Sequence, residues 1–307
     1  MSAVDIIVIG GGAAGMTAAL YALRNGKTVT VFEKEAIGGQ IASSPRVENF
    51  PTHKKISGLE LSDMLYEQIS DLGAEFEFGT VVNVEKRGEG DFVVTTEDGE
   101  VFNAKSVVIA AGVKHKHMNL PKEEEFTGKG ISYCAVCDGA FFTGEEVALI
   151  GDGNTALQYA ILLSSYCKKV YVCTWFDKFF GDEALVKVLR ATENIEVIPN
   201  VSLTAFNGTD ELESLTFVGR LDKNYTFDLP VKGCFVAIGQ VPDNKKFASL
   251  VELDQDGYIV ADETGATKTP GVYAAGDCRQ KKVRQLTTAV GDGANCAMSA
   301  CSYITKL

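Results

Sequence analysis

"VIGGGAAGMTAALYALRNGKTVTVFEK", residues 8–34, and "LIGDGNTALQYAILLSSYCKKVYVCTW", residues 149–175, are the same unit written twice. They align without a gap at an offset of 141 residues, so that Gly10 falls on Gly151 and Gly12 on Gly153. Each reads as a β-branched strand, a glycine turn, an apolar helix and a second strand, the opening βαβ of a dinucleotide-binding fold. The predicted class is α/β, with two Rossmann-like dinucleotide-binding domains.

In the first copy Gly10 makes the tight turn, Gly12 lets a pyrophosphate approach the backbone, and Gly15 lets the helix pack closely. The helix N-terminus then faces the phosphates. Glu33 ends the second strand, where a carboxylate accepts hydrogen bonds from ribose hydroxyls. The second copy keeps Gly151, Gly153 and Ala156 but carries Thr174 in place of Glu33. Asp152 adds a carboxylate beside the expected pyrophosphate. From the residues alone, this second site is either a working one with altered recognition or an empty relic.

Further along, "FVVTTEDGEVFNAKSVVIAAG" (92–112) reads as a hairpin followed by a buried strand, and "LESLTFVGRLDKNYTFDLPVKGCFVAIG" (212–239) repeats that pattern. "GVYAAGDC" (271–278) returns to a strand with Asp277 at its tip. The expected organisation is a discontinuous first domain, 1–116 and 244–307, with the second, 117–243, inserted into it.

The 307 residues suit two domains. A net charge of −12 argues against general nucleic-acid binding, which needs a basic footprint. No apolar run reaches the roughly 18 residues of a membrane span, and the first strand begins too early for a signal peptide. A cytoplasmic chain is expected. Its eight cysteines should then be mostly reduced, and only Cys134 and Cys137, in "SYCAVCDG", have a spacing that carries chemistry. A CxxC pair exchanges disulfides through a mixed disulfide, and Asp138 follows at once, placed to move a proton. Half of a metal site or two structural cysteines are the competing readings. No second close pair supplies further ligands, so no metal is expected. Cys296 and Cys301, five apart, are expected on different faces of a buried C-terminal helix.

With those motifs in place, the chain resembles the low-molecular-weight thioredoxin reductases along essentially its whole length. The resemblance is carried by "GGGAAG", "GGQ" (38–40), "VENFP" (47–51), "CAVCDG", the GxGxxA at 151–156, "GVYAAGDCR" and "RQLTTAVGDGANCA". It implies FAD in the first domain. Gly10, Gly12, Ala13, Ala14, Gly15, Glu33 and Lys34 would surround its ADP portion. Gly39, Gln40 and Asn49 would lie nearer the flavin, and Ala111, Gly112 and Leu286 would complete the cofactor set. Asp277 would bind the ribityl chain, with Arg284 and Gln285 at the isoalloxazine end. The resemblance also implies that Cys137 is the flavin-proximal sulfur, that Cys134 attacks the disulfide of thioredoxin, and that Asp138 is the acid/base. Family members are homodimers whose domains swivel.

The chain departs from that family at one place. Members that use NADPH carry HRRxxxR after the second strand of the inserted domain, where this sequence has Thr174, Trp175, Phe176 and Phe180. The planar arginine fork matches the 2′-phosphate, and a charge-assisted hydrogen bond of that kind is worth roughly 1.5–3 kcal/mol. NADPH is therefore not expected, and NADH would want an acid at Thr174. The departure resembles the ferredoxin-dependent flavin thioredoxin reductases, which makes reduced ferredoxin the expected donor. An NADH- or NADPH-dependent reductase with an atypical nucleotide site is the alternative. A flavin-dependent dithiol oxidase and a flavin-bound redox sensor are further readings. Lys54, Lys55, "KHKH" (114–117), Arg279, Lys281 and Lys282 are the expected basic patch for an acidic ferredoxin. Trp175, Phe176, Phe179 and Phe180 are expected as an apolar plug or packing surface.

Overall fold

In the computed structural model, which describes residues 4–44 and 47–307, the chain divides into two units, Met1–Lys114 with Val241–Leu307, and His115–Gln240. Among the described residues no helix is long and apolar enough to cross a membrane.

The first unit is built on strands β1 (Val4–Ile9), β2 (Val29–Glu33), β3 (Glu75–Phe78), β4 (Val81–Gly88), β5 (Asp91–Thr96) and β6 (Val101–Ile109), with helices α1 (Ala13–Arg24) and α2 (Gly58–Ser70). The sheet order is β3-β2-β1-β6-β5-β4. The first four strands run parallel, and β5 and β4 continue the sheet antiparallel. Ile6, Ile7 and Val8 are fully buried because β1 has covered faces on both sides, and so its apolar run shows no alternation. On one face α1 and the C-terminal helix Leu286–Thr305 pack against Ile6, Val8 and Val108. On the other, Ile7 and Ile109 meet Phe92, Phe247 and Ile259.

The two helices touch backbone to backbone, since a Cβ on Gly293 would lie 2.2 Å from the Ala14 carbonyl oxygen. That close approach buries a wide face of the C-terminal helix, and Cys296 and Cys301 both enter the same core. The five-residue spacing still sets them on different faces, and both are buried because the covered arc of this helix is wide enough to take in both.

The hairpin arm and buried strand, read as separate in residues 92–112, are one nine-residue strand, β6. Its first half pairs with β5 and its second half with Val272–Ala274. In the second unit the two are separate, with Pro230 ending the hairpin, because a residue without an N–H cannot extend the ladder.

The second unit repeats the parallel core. Its sheet runs Ile195–Ile198, Lys169–Cys173, Glu146–Ile150, Gly233–Val236, Ile131–Ser132, all parallel. The helix Asn154–Leu163 follows the central strand as α1 follows β1. A separate antiparallel sheet of Val201–Asn207, Ser214–Gly219 and Thr226–Pro230 completes the unit.

Candidate functional site

Both glycine turns have the same physical origin. Gly10 sits at φ +112°, and a Cβ there would lie 2.3 Å from the Ala110 carbonyl oxygen. Gly151, at φ +149°, would meet the Ala237 carbonyl at the same 2.3 Å. In each copy the end of the neighbouring strand leaves no room for a side chain. Gly15 is required by packing, its Cβ falling 1.9 Å from Gly10 O.

In the first unit, Gly12 caps α1 with extended backbone and no side-chain cap, and the first turn holds no acid. The N–H groups around Ala13 and Ala14 therefore form an open donor cluster. Glu33 is buried and fixed by three backbone donors. Gly11 N–H reaches Oε2 at 2.8 Å, while Lys34 and Glu35 N–H reach Oε1 at 2.8 and 2.9 Å. Gly39 closes on the turn, its Cβ position 3.4 Å from Gly12 Cα. The Lys34 side chain turns to Glu35 at 2.9 Å. Gln40 donates to Val113 O at 2.7 Å, beside Ala111 and Gly112, the latter at φ +62°. Asn49 donates to Gln285 Oε1 at 3.1 Å. Gln285 in turn caps the helix that opens at Leu286. The Arg284 guanidinium lies 3.9 Å over the Tyr258 ring.

Asp277 Oδ1 is buried and accepts no hydrogen bond, its nearest cation being Lys281 Nζ at 3.3 Å. An uncapped helix N-terminus beside a glycine turn suits a pyrophosphate, and an orphaned buried acceptor suits a hydroxyl donor. The residues thus fit FAD, with its phosphates and its polyol chain.

One part of this unit was not visible in the sequence. Asp292 accepts from Arg279 Nε (2.9 Å) and Nη2 (2.7 Å), from Lys281 Nζ (3.0 Å) and from Gly276 N–H (3.0 Å). Burial alone would raise its pKa, but the hydrogen bonds from Arg279 and Lys281 outweigh it and hold the carboxyl below its usual range. The basic patch is corrected accordingly. The Arg279 and Lys281 side chains are 15% and 7% exposed and spent on Asp292, Lys114 pairs with Asp243 at 2.8 Å, and Lys54, Lys55 and Lys282 remain exposed.

In the second unit Cys134 and Cys137 form a disulfide, their Cα atoms 5.4 Å apart. Cys134 caps the short helix Ala135–Asp138, and its Sγ accepts the Cys137 N–H at 3.2 Å. A backbone donor on that sulfur favours its thiolate. Ser132, which sequence reading passed over, donates to Asp138 Oδ2 at 2.6 Å and accepts from Cys134 N–H at 3.0 Å. It thereby ties the carboxylate to the redox pair. Tyr133 donates to Glu123 at 2.7 Å; burial first, then Glu123, raise its pKa. The six other cysteines are buried, and burial pushes Cys167 to about 11 and Cys278 to about 12, which leaves them unreactive near neutral pH.

The second glycine turn is complete and open. Gly153 is extended, and nothing lies within 4 Å of a Cβ built on it. Above the strand ends lies a cavity of about 400 Å³ lined by Gly151, Asp152, Cys173, Trp175 and Phe176 among others. Burial raises the pKa of Asp152. Thr174 is buried, and its hydroxyl donates to Phe176 O at 2.6 Å, so the strand end offers the cavity no carboxylate for a ribose diol and no free hydroxyl proton. The following loop folds back on the turn, with Phe180 N–H on Asp152 O at 2.7 Å.

Two expectations fall here. The aromatics do not plug the site, because Trp175, Phe176 and Phe180 are 51%, 41% and 55% exposed, while Phe179 packs against the core, as the packing-surface reading had it. Nor is the strand end without a cation. Arg220, from the turn after Ser214–Gly219, stacks over Trp175 at 4.3 Å and Phe176 at 5.1 Å. The absence of HRRxxxR therefore does not exclude NADPH.

A family model described as pyridine nucleotide-disulphide oxidoreductase matches residues 4–293. A thioredoxin reductase of Listeria innocua serovar 6a is 36% identical over 304 residues, covering 99% of this chain and 94% of that protein. The crystal structure of Lactococcus lactis thioredoxin reductase is 35% identical with a TM-score of 0.96, covering 99% of this chain and 100% of that one. A ferredoxin-flavin thioredoxin reductase from Clostridium acetobutylicum is 27% identical with a TM-score of 0.55, covering 100% of this chain and 99% of that one. The expected ferredoxin-dependent subgroup is thus the more distant neighbour of the two structures.

Proposed function

Because the chain belongs to the pyridine nucleotide-disulphide oxidoreductase family, as a thioredoxin reductase, we propose that it carries electrons from a reduced pyridine nucleotide through FAD to Cys134–Cys137 and on to thioredoxin. FAD belongs to the first unit, on the residues from Gly10 to Gly15, Glu33, Asn49 and Asp277. The pyridine nucleotide belongs to the second, above Gly151–Gly153. The observation that carries the donor reading is the intact Gly151–Gly153 turn under an open cavity, which a relic would have no reason to keep clear. Bound FAD supplies a two-electron carrier between nucleotide and disulfide.

The chain's own residues do the sulfur chemistry. Two electrons and two protons convert the Cys134–Cys137 disulfide to a dithiol. The Cys134 thiolate then attacks the thioredoxin disulfide, breaking its S–S bond and forming a mixed disulfide. Asp138, held by Ser132, takes the proton that the Cys134 thiol gives up and passes it to the thiolate that leaves. Cys137 then breaks the mixed disulfide, releasing dithiol thioredoxin and restoring the internal disulfide. A homodimer in the cytoplasm is part of the same proposal, and light scattering at twice the monomer mass checks the assembly.

Ferredoxin is the second reading, favoured by the absence of HRRxxxR at Thr174–Phe180. An anaerobic titration decides. Bleaching of the flavin band by NADPH or NADH supports the nucleotide route, and bleaching by reduced ferredoxin alone overturns it.

Asp152 gives an independent check. A carboxylate several ångströms from a pyrophosphate repels it by on the order of 1 kcal/mol at the effective dielectric of a half-exposed site. Asp152→Asn should therefore tighten NADH binding about three- to tenfold at pH 8. The pKa of Asp152 is raised, so the wild-type carboxyl neutralises early as pH falls. The advantage of the variant should shrink in acid, read from Kd against pH. A pH-independent gap would count against repulsion as the cause.

A further inference from the structure

In a dinucleotide-binding βαβ the end of the second strand faces the adenosine ribose. An acid there selects a free 2′-hydroxyl, and an arginine nearby accepts a 2′-phosphate. In the second unit the acid position is Thr174, whose hydroxyl is committed to Phe176 O at 2.6 Å. The next two side chains, Trp175 and Phe176, line the cavity and carry the Arg220 guanidinium at 4.3 and 5.1 Å from their ring centroids. Arg220 comes from a hairpin 45 residues beyond Trp175 and is anchored to it, Nη1 donating to Trp175 O at 2.7 Å. Its backbone N–H is held by Asn200 O at 2.8 Å. Among the described residues it pairs with no carboxylate, so the guanidinium is fixed in place with its charge unspent. Lys178, over Phe180 at 5.0 Å, adds a second cation on the same loop.

We propose that Arg220 is the specificity-determining residue of the donor site, its guanidinium pairing with the 2′-phosphate of NADPH while Trp175 serves as its platform. The positive charge that the strand end lacks is delivered to the same place by another element. A planar guanidinium suits this role on two counts: it stacks on an indole and it pairs with phosphate through parallel N–H groups. This assignment rests on the pyridine-nucleotide reading above.

The test uses the full flavin-loaded chain and calorimetric titration with ADP-ribose and with its 2′-phosphorylated form, neither of which requires electron transfer. The wild type should prefer the 2′-phosphate at least tenfold. Arg220→Gln should reduce that preference to under threefold, and Arg220→Lys, which keeps the charge without the fork, should fall between. Lys223→Gln, an exposed change on the same hairpin, should retain the preference. In parallel, anaerobic flavin reduction should show the NADPH-to-NADH ratio of kcat/KM falling in Arg220→Gln by the same factor. Flavin content and thermal melting confirm that each variant is folded. A wild type without preference, or a preference that survives Arg220→Gln, overturns the assignment while leaving a pyridine nucleotide as donor. Preferential binding without flavin bleaching by NADPH leaves Arg220 as the 2′-phosphate residue and overturns the donor reading. Failure of both ligands to bind overturns both.

Discussion

Cys134→Ser is expected to abolish thioredoxin turnover, lowering it by at least about a thousandfold, because a serine hydroxyl at neutral pH is neither ionised nor able to enter a disulfide. Bleaching of the flavin by its donor should persist in the same preparation, since that step uses no sulfur. The two cysteines should then part company. Cys137→Ser leaves Cys134, whose sulfur receives the Cys137 backbone N–H at 3.2 Å, a hydrogen bond the serine substitution retains. That variant should attack oxidised thioredoxin and stop there, because the resolving thiol is gone. A covalent adduct on a non-reducing gel, absent with Cys134→Ser and dissolved by dithiothreitol, is the expected signature. The reverse pattern, an adduct only with Cys134→Ser, would show that the backbone donor does not mark the attacking sulfur. Ser132→Ala adds a finer test: it removes the 2.6 Å bond to Asp138 and should shift the pH profile of thioredoxin reduction while leaving flavin reduction unmoved.

How much of this was legible in the sequence depended on whether the information was local. The glycine turns were readable because strand, turn and helix are contiguous and the same clash recurs at Gly10 and Gly151. The CxxC was readable because four residues suffice to define it. What escaped was assembled from distant segments. Arg220 lies 45 residues past Trp175 and meets it only because the hairpin folds back over the strand end. Taken by itself, a loop of four aromatics without an arginine reads as a plug that excludes a phosphate. The Arg279 and Lys281 charges looked like surface because their partner, Asp292, stands on the C-terminal helix rather than beside them. The continuity of β6 was hidden for a related reason. Its composition changes midway from alternating to fully apolar as its neighbour changes from β5 to Val272–Ala274, and a change of pattern reads as a change of element.

Asp292 should be the position outside the redox pair whose substitution costs the first unit most. Its carboxylate is 8% exposed and carries Arg279, Lys281 and the Gly276 N–H. Asp292→Asn keeps the shape but strips Arg279 of its counter-charge and leaves Lys281 only Asp277, at 3.3 Å, and breaking a buried pair in this way typically costs about 3–5 kcal/mol. At about 2–4 °C per kcal/mol for a domain of this size, melting should drop by roughly 6–20 °C. The pH dependence carries a definite sign. The folded pKa of Asp292 is lowered because the hydrogen bonds from Arg279 and Lys281 exceed the effect of burial. The contribution is therefore fully present above the unfolded value, near about 3.9 for an aspartate, where both states are ionised. Below that value the unfolded chain takes up a proton that the folded chain refuses, and the contribution drains away as pH falls through the folded pKa. Urea midpoints of wild type and Asp292→Asn should be widely separated and parallel from pH 8 to pH 5, then converge toward pH 3. A gap that stays constant into acid would mean that Asp292 acts through shape or hydrogen bonding to Gly276 rather than through charge. Replacing Asp292 and Arg279 together by apolar residues should cost less than Asp292→Asn alone, since the guanidinium is then gone and Lys281 keeps Asp277 as its counter-charge.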